Sequence, residues 1–195
     1  MQSISKFILF NVLGWKVVNG FPKDLHKYLV IAGPHTSNWD FPLAILTRFS
    51  QGVMINFIGK KSLFKPPFGF FFKALGGTPV DRTKSKNMVQ ALIDVYDSNE
   101  KFIFAISPEG TRKKVSTWKT GFYHVAKGAN VPIVMATLDF GNKQVHVNDP
   151  YYLTDNMEAD FTYFHEFFKD VKGRNPEQFD PNFHLNMKRE ERREK

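Results

Sequence analysis

Apolar and polar positions come in alternating blocks along the chain. Residues 28–33 form a short unbroken apolar run closed by Gly33-Pro34, the pattern of a strand buried on both faces. The period then lengthens, predicting a helix over 38–49, and shortens again to a strand over 53–59. A connection rich in Pro and Phe follows, then a short strand near 78–81, a helix over 84–97 and an apolar strand over 102–106. A helix over 119–127, a buried strand over 131–137 and an edge strand over 144–147 continue the series. Phe161, Phe164, Phe167, Phe168 and Val171 then mark one side of a late helix, a stripe that reads as core packing. Strands alternating with helices predict an α/β fold with a largely parallel central sheet flanked by helices. At 195 residues and 42% hydrophobic content, with no internal repeat or long linker, the chain has the size of a single domain around one core.

The two ends break this rhythm. Residues 1–20 are rich in Ile, Phe, Leu, Val and Trp, yet Lys6 and Lys16 bound an uncharged run of only nine residues. Crossing a bilayer takes about 20. No small-residue cleavage site follows the run, which argues against a cleaved leader. The better functional reading is an amphipathic membrane-interface segment, with Phe7 and Trp15 entering the headgroup boundary beside the lysines. Docking onto the protein's own core is the alternative. Residues 188–195 mix five basic residues with three glutamates, so 176–195 reads as a polar C-terminal tail and 21–175 as the main domain.

Composition narrows the chemistry. The absence of cysteine excludes disulfides, Cys-ligated zinc and a covalent thiol intermediate, and fits a reducing compartment. A net charge of +8 favours anionic partners such as phospholipid, nucleic acid or a phosphorylated co-substrate. The 21 phenylalanines, concentrated in runs such as 64–72, are more than a core of this size usually requires. They are either packing, or an apolar groove or face for lipid.

Two polar motifs fall just beyond the carboxyl ends of predicted strands, where open α/β sheets hold their ligands. The first is His35-Thr36-Ser37-Asn38-Trp39-Asp40, with His35 on a loop and Asp40 early in the next helix. A turn between them lets the carboxylate accept a hydrogen bond from imidazole Nδ1. That bond fixes the tautomer and stabilises the charge as Nε2 takes a proton. The second motif is Ser107-Pro108-Glu109-Gly110-Thr111-Arg112, in which Gly110 permits close backbone approach and Arg112 offers a planar fork matched to phosphate oxygens. A local Glu109–Arg112 salt bridge is the structural alternative. The motifs meet if their strands are neighbours. No Gly-x-Ser-x-Gly elbow supplies a serine nucleophile, and the other histidines show no paired ligand spacing, so no catalytic metal is expected.

A His and an Asp separated by four residues, followed downstream by Pro-Glu-Gly-Thr-Arg, resemble the signatures of the 1-acylglycerol-3-phosphate acyltransferase family of glycerolipid acyltransferases, and both are intact. The resemblance implies that His35, assisted by Asp40, deprotonates a glycerol hydroxyl. That hydroxyl attacks the thioester of an acyl-CoA or acyl-carrier protein in one direct step, with no cofactor beyond this co-substrate. It also implies that Glu109, Gly110, Thr111 and Arg112 shape and bind the glycerol-phosphate end of the acceptor. Gly76-Gly77-Thr78-Pro79-Val80-Asp81-Arg82 resembles the family's Gly-to-Arg block, making Arg82 a second phosphate ligand, and Lys60 matches a basic position upstream. Pro79 departs from that block, so its strand is expected to be short or at an edge. Val131-Pro132-Ile133-Val134 resembles a fourth, mainly structural block. The blocks occur in family order; the departure is the amino terminus, where many relatives carry longer hydrophobic helices.

The expected function is therefore acylation of a lysophosphatidate-like acceptor, or of another lysolipid or aminolipid, in phospholipid biosynthesis. The protein would be cytoplasmic, bound peripherally to an anionic membrane surface. The competing reading is a non-catalytic basic module for membrane or nucleic acid, resting on net charge alone. The basic residues cluster in and near the acceptor blocks rather than in a nucleic-acid motif, so nucleic acid is not an expected partner.

Overall fold

The computed structural model describes residues 1–80 and 88–185. At its centre lie β2 (Lys27–Gly33), β3 (Asn56–Lys60), β4 (Gly77–Val80), β5 (Phe102–Ile106) and β7 (Ile133–Thr137). They form a five-stranded sheet in the order β4-β3-β5-β2-β7, every pairing parallel. Parallel neighbours need crossovers; α2 (Asp40–Gln51), α3 (Gly69–Ala74), α4 (Met88–Ser98) and α5 (Gly121–Gly128) lie within them. The largely parallel sheet flanked by helices is the architecture that the alternating pattern predicts. Pro79 falls in β4, at the sheet's edge, where a missing N–H costs no ladder bond on the outer side.

Strand β2 shows why residues 28–33 read as unbroken apolar. Leu29 and Ile31 join a core with Tyr96 of α4, Phe122 of α5 and Phe164 and Phe168 of α6 (Met157–Phe168). Tyr28 and Val30 join a second core with Leu43 of α2 and with Leu9, Trp15 and Phe21 from the amino-terminal segment. Alternate residues thus feed opposite faces, and both faces are covered. The late aromatic stripe is core, as its spacing suggests: Phe161, Phe164 and Phe168 are all buried.

Both ends of the chain correct the expected division at residues 20 and 176. Helix α1 (Gln2–Lys6) runs into a π-type turn, Phe7–Val12, and then β1 (Lys16–Val18) pairs in parallel with β8 (Gln144–His146). Trp15 is not a membrane-interface residue: its side chain is only 7% exposed and packs edge-on against Phe140 at 4.9 Å. The indole finds an aromatic partner inside the protein, so nothing is left to offer a headgroup layer. Phe7, by contrast, is exposed. At the other end, β9 (His184–Leu185) pairs with β6 (Thr117–Trp118), and Phe183 stacks on Trp118 with ring centroids 3.8 Å apart. Phe179 is buried in the same core, so residues 176–185 are part of the domain rather than a solvated tail.

Arg48 ties the sheet's outer half together. Buried near the end of α2, it donates Nη1 to the carbonyls of Ile55 (2.8 Å) and Leu75 (2.7 Å), joining α2 to the approach to β3 and to the residue after α3.

Candidate active site

Strands β2 and β5 are neighbours in register, Lys27 opposite Phe102 and Ile31 opposite Ile106, so their carboxyl ends emerge side by side. The loop after β2 carries His35 and the turn after β5 carries Glu109. The two meet directly: the His35 backbone N–H donates to Glu109 Oε2 at 2.8 Å. Asp40, the first residue of α2, turns its carboxylate back over the loop. Its Oδ2 accepts from His35 Nδ1 at 2.9 Å, from the Thr36 N–H at 2.9 Å and from the Ser37 N–H at 2.8 Å. Three donors converge on one oxygen of a carboxylate that is only 2% exposed, while its Oδ1 is buried without a hydrogen-bond partner among the described residues. The geometry assigns Nδ1–H as donor to Asp40 and leaves Nε2 with the lone pair. The His35 side chain is 33% exposed, and Nε2 has no hydrogen bond among the described residues.

Two acids therefore hold this histidine, Asp40 by its ring and Glu109 by its backbone. Glu109 is buried and also accepts from the Ser107 hydroxyl at 3.0 Å. Burial lifts its carboxyl above the ordinary value of 4.5, and the hydrogen bonds from the His35 N–H and Ser107 pull the other way. Gly110 has φ +64°, and its N–H donates to the Ser107 carbonyl at 3.1 Å. The left-handed turn is what favours glycine here, since the nearest atoms to a Cβ would be the flexible end of the Lys119 side chain.

A third segment locks the two motifs together. The Asn175 backbone N–H donates to Thr36 Oγ1 at 3.3 Å and its side-chain amide to the Thr36 carbonyl at 2.8 Å. With its amide turned to satisfy the surrounding groups, Gln178 donates to the carbonyls of Thr36 and Arg112. Between these parts lies a cavity of about 420 Å³, walled by Ser37, Trp39, Arg112, Arg174, Asn175 and Gln178 among others. Arg174 lies 5.2 Å over the Trp39 ring, and neither Arg174 nor Arg112 is ion-paired among the described residues. A larger cavity, about 510 Å³, sits by His26, Lys101 and Phe102 at the opposite end of β2 and β5. The smaller one borders the His35 loop at Thr36 and Ser37. Among the described residues no three His, Asp or Glu side chains converge as metal ligands do.

The family model described as Acyltransferase matches residues 18–138, a span that holds both strands and both motifs. The chain belongs to the acyltransferase family. It is 28% identical over 149 residues to the 1-acyl-sn-glycerol-3-phosphate acyltransferase of Haemophilus influenzae, covering 72% of this chain and 60% of that protein. The Escherichia coli K12 protein of the same name is 27% identical over 146 residues, covering 70% and 58%. The chain thus spans about 60% of the length of these curated relatives. The crystal structure of the 1-acyl-sn-glycerophosphate (LPA) acyltransferase PlsC from Thermotoga maritima superposes with a TM-score of 0.62 at 22% identity, over 85% of this chain and 75% of that one. That likeness establishes a shared fold.

For this acyltransferase-family chain, the structure brings together His35, Asp40, Glu109, Gly110, Thr111 and Arg112 at one end of the sheet. The Glu109–Arg112 salt bridge, the structural alternative, does not form; Glu109 holds the His35 loop. Thr111 Oγ1 accepts from the Lys113 N–H at 3.2 Å, shaping the turn. Lys60 ends β3 on the same side of the sheet. Arg82 lies outside the described residues. Arg174, Asn175 and Gln178 escaped sequence reasoning. The one local signal is Gly173, where a Cβ would collide with Thr36, but it is visible only in three dimensions.

Proposed function

We propose that the chain is an O-acyltransferase moving a fatty acyl group from acyl-CoA or acyl-carrier protein to the free hydroxyl of 1-acylglycerol 3-phosphate or a related lysolipid or aminolipid. The observation that carries this reading is the His35–Asp40 pair, with Nδ1 tied at 2.9 Å on a side chain 33% exposed. Nε2 takes the hydroxyl proton as the acceptor oxygen attacks the thioester carbonyl carbon, and Asp40 steadies the imidazolium that forms. Collapse of the tetrahedral adduct breaks the C–S bond. The proton passes from the imidazolium to the departing thiolate, so an ester and a free thiol leave and the base is restored. Glu109 keeps the His35 backbone in place. Arg112, with Gly110 and Thr111 shaping its turn, receives the acceptor phosphate, and Arg82 and Lys60 are further cations for it. The names of the Haemophilus and Escherichia relatives support this acceptor.

Among the described residues no helix is long and apolar enough to cross a membrane, and acceptor and product both keep an acyl tail. The proposed setting is peripheral attachment at the cytoplasmic face of an anionic membrane. The test is incubation of purified protein with labelled acyl-CoA or acyl-carrier protein and lysophosphatidate, read as labelled phosphatidate. His35→Ala should lower the rate by about 10² to 10⁴ in a variant that stays folded. Near-normal turnover by the folded variant would remove His35 from the chemistry.

A further inference from the structure

Residues 61–74 turn aromatic rings outward. Phe68, Phe70 and Phe71 are 68%, 75% and 52% exposed, and Leu63 is exposed in the 3-10 turn Lys61–Phe64 just before them. Monomers rarely leave such a contiguous apolar patch bare unless something covers it. The exposed lysines Lys61, Lys65 and Lys73 lie among the rings, and residues 41–80 contain no Asp or Glu. Apolar tips set among cations, in a stretch of chain without a carboxylate, match a bilayer carrying anionic headgroups. The acyl region accepts the rings and the phosphates accept the lysines.

The inner side of this segment reaches the catalytic helix. Phe71 contacts Phe72 at 6.0 Å, Phe72 contacts Phe41 at 5.8 Å, and Phe41 also packs edge-on against Phe57 of β3 at 5.0 Å. Phe41 directly follows Asp40. A row of rings therefore runs from exposed Phe71 to Phe41, the residue beside the Asp40 carboxylate.

We infer that residues 61–74 are the surface that docks on an anionic bilayer, delivering lipid to the His35 end of the sheet. This rests on the proposed lipid acceptor, and it moves the docking surface from Trp15, which is buried, to Leu63, Phe68, Phe70 and Phe71. The test is sedimentation of the intact chain with phosphatidylcholine vesicles, with and without phosphatidylglycerol. Because it measures binding without turnover, failure here leaves acyl transfer to a soluble acceptor standing or falling on its own assay.

Combined Phe68→Ser, Phe70→Ser and Phe71→Ser should cut partitioning onto anionic vesicles about tenfold or more. Combined Lys61→Glu, Lys65→Glu and Lys73→Glu should erase the preference for phosphatidylglycerol, and Phe7→Ser should have the smaller effect. If the triple Phe variant unfolds, Phe70→Ser alone decides, as the most exposed ring. Wild-type partitioning by the folded Phe variants, or no binding by the intact chain, overturns the assignment. So does a dimer of the intact chain that these substitutions dissolve while vesicle binding stays unchanged.

Discussion

Asp40 and Phe70 break one rule in opposite directions. The first is a carboxylate 2% exposed, the second an aromatic ring 75% exposed. Water favours the reverse arrangement in both cases. The difference lies in where each is compensated. Asp40 meets three donors from the chain itself, all within five residues and all on Oδ2, so the compensation of that oxygen comes from inside the fold. Phe70 projects from the short helix α3 into solvent, and compensation for it has to come from outside. Buried polarity here marks chemistry that the fold completes, and exposed apolarity marks contact that the fold leaves open.

That contrast fails if Phe70 is part of the core, and the sharpest check sets it against Arg48, the buried cation holding the residue after α3. Arg48→Met keeps the apolar stem but leaves the Ile55 and Leu75 carbonyls without their donor. Each buried acceptor so stranded costs about 1 to 3 kcal/mol, so the variant should lose about 2 to 5 kcal/mol in urea unfolding. Phe70→Ser should stay within about 0.5 kcal/mol of the parent. Comparable losses for the two would make the exposed rings structural and remove the basis of the docking surface.

Much of the inner half of this contrast was legible in the sequence. Residues 102–106 appear as a strand with the observed limits, because a strand covered on both faces is an unbroken apolar run whatever packs on it. The His35–Asp40 pair was legible because both partners lie in one turn, and its meeting with the second motif needed only that two strands be neighbours. What stayed hidden depends on distant partners. Trp15 looks like an interfacial residue until Phe140 covers it. The bond from the His35 N–H to Glu109, 74 positions away, has no local signal. The Asn175 clamp on Thr36 spans 139 positions. Periodicity reports which face of an element is apolar, not which other segment meets it.

The cationic rim gives a test of intermediate size. Arg112 is exposed on the cavity beside the His35 loop, with no ion-pair partner among the described residues, so its guanidinium is available to a phosphate. Arg112→Ala should raise KM for lysophosphatidate about tenfold, the lower part of the range for a charge-assisted contact because solvent screens an exposed group. KM for monoacylglycerol, which lacks the phosphate, should change little. Equal losses with both acceptors would mean that Arg112 supports the turn rather than the ligand.

Glu109 offers the smallest effect and the most selective one, since it is a second buried carboxyl at the same histidine. Asp40 Oδ2 accepts three hydrogen bonds, whereas Glu109 Oε2 accepts two, and burial lifts the Glu109 carboxyl above 4.5 despite them. A carboxyl with a raised folded-state value binds its proton more tightly in the native chain than in the unfolded one. Its contribution to stability is therefore most favourable below the unfolded value, falls as pH rises through the folded value, and is level above it. Glu109→Gln abolishes that titration while keeping an amide oxygen to accept from the His35 N–H. Paired melts in small pH steps should show the variant's melting temperature drifting upward relative to the parent as pH climbs from about 4, then levelling off. A difference that stays flat across that range would mean that the carboxyl titrates alike in the folded and unfolded chains. The bonds from His35 and Ser107 would then offset the burial of Glu109.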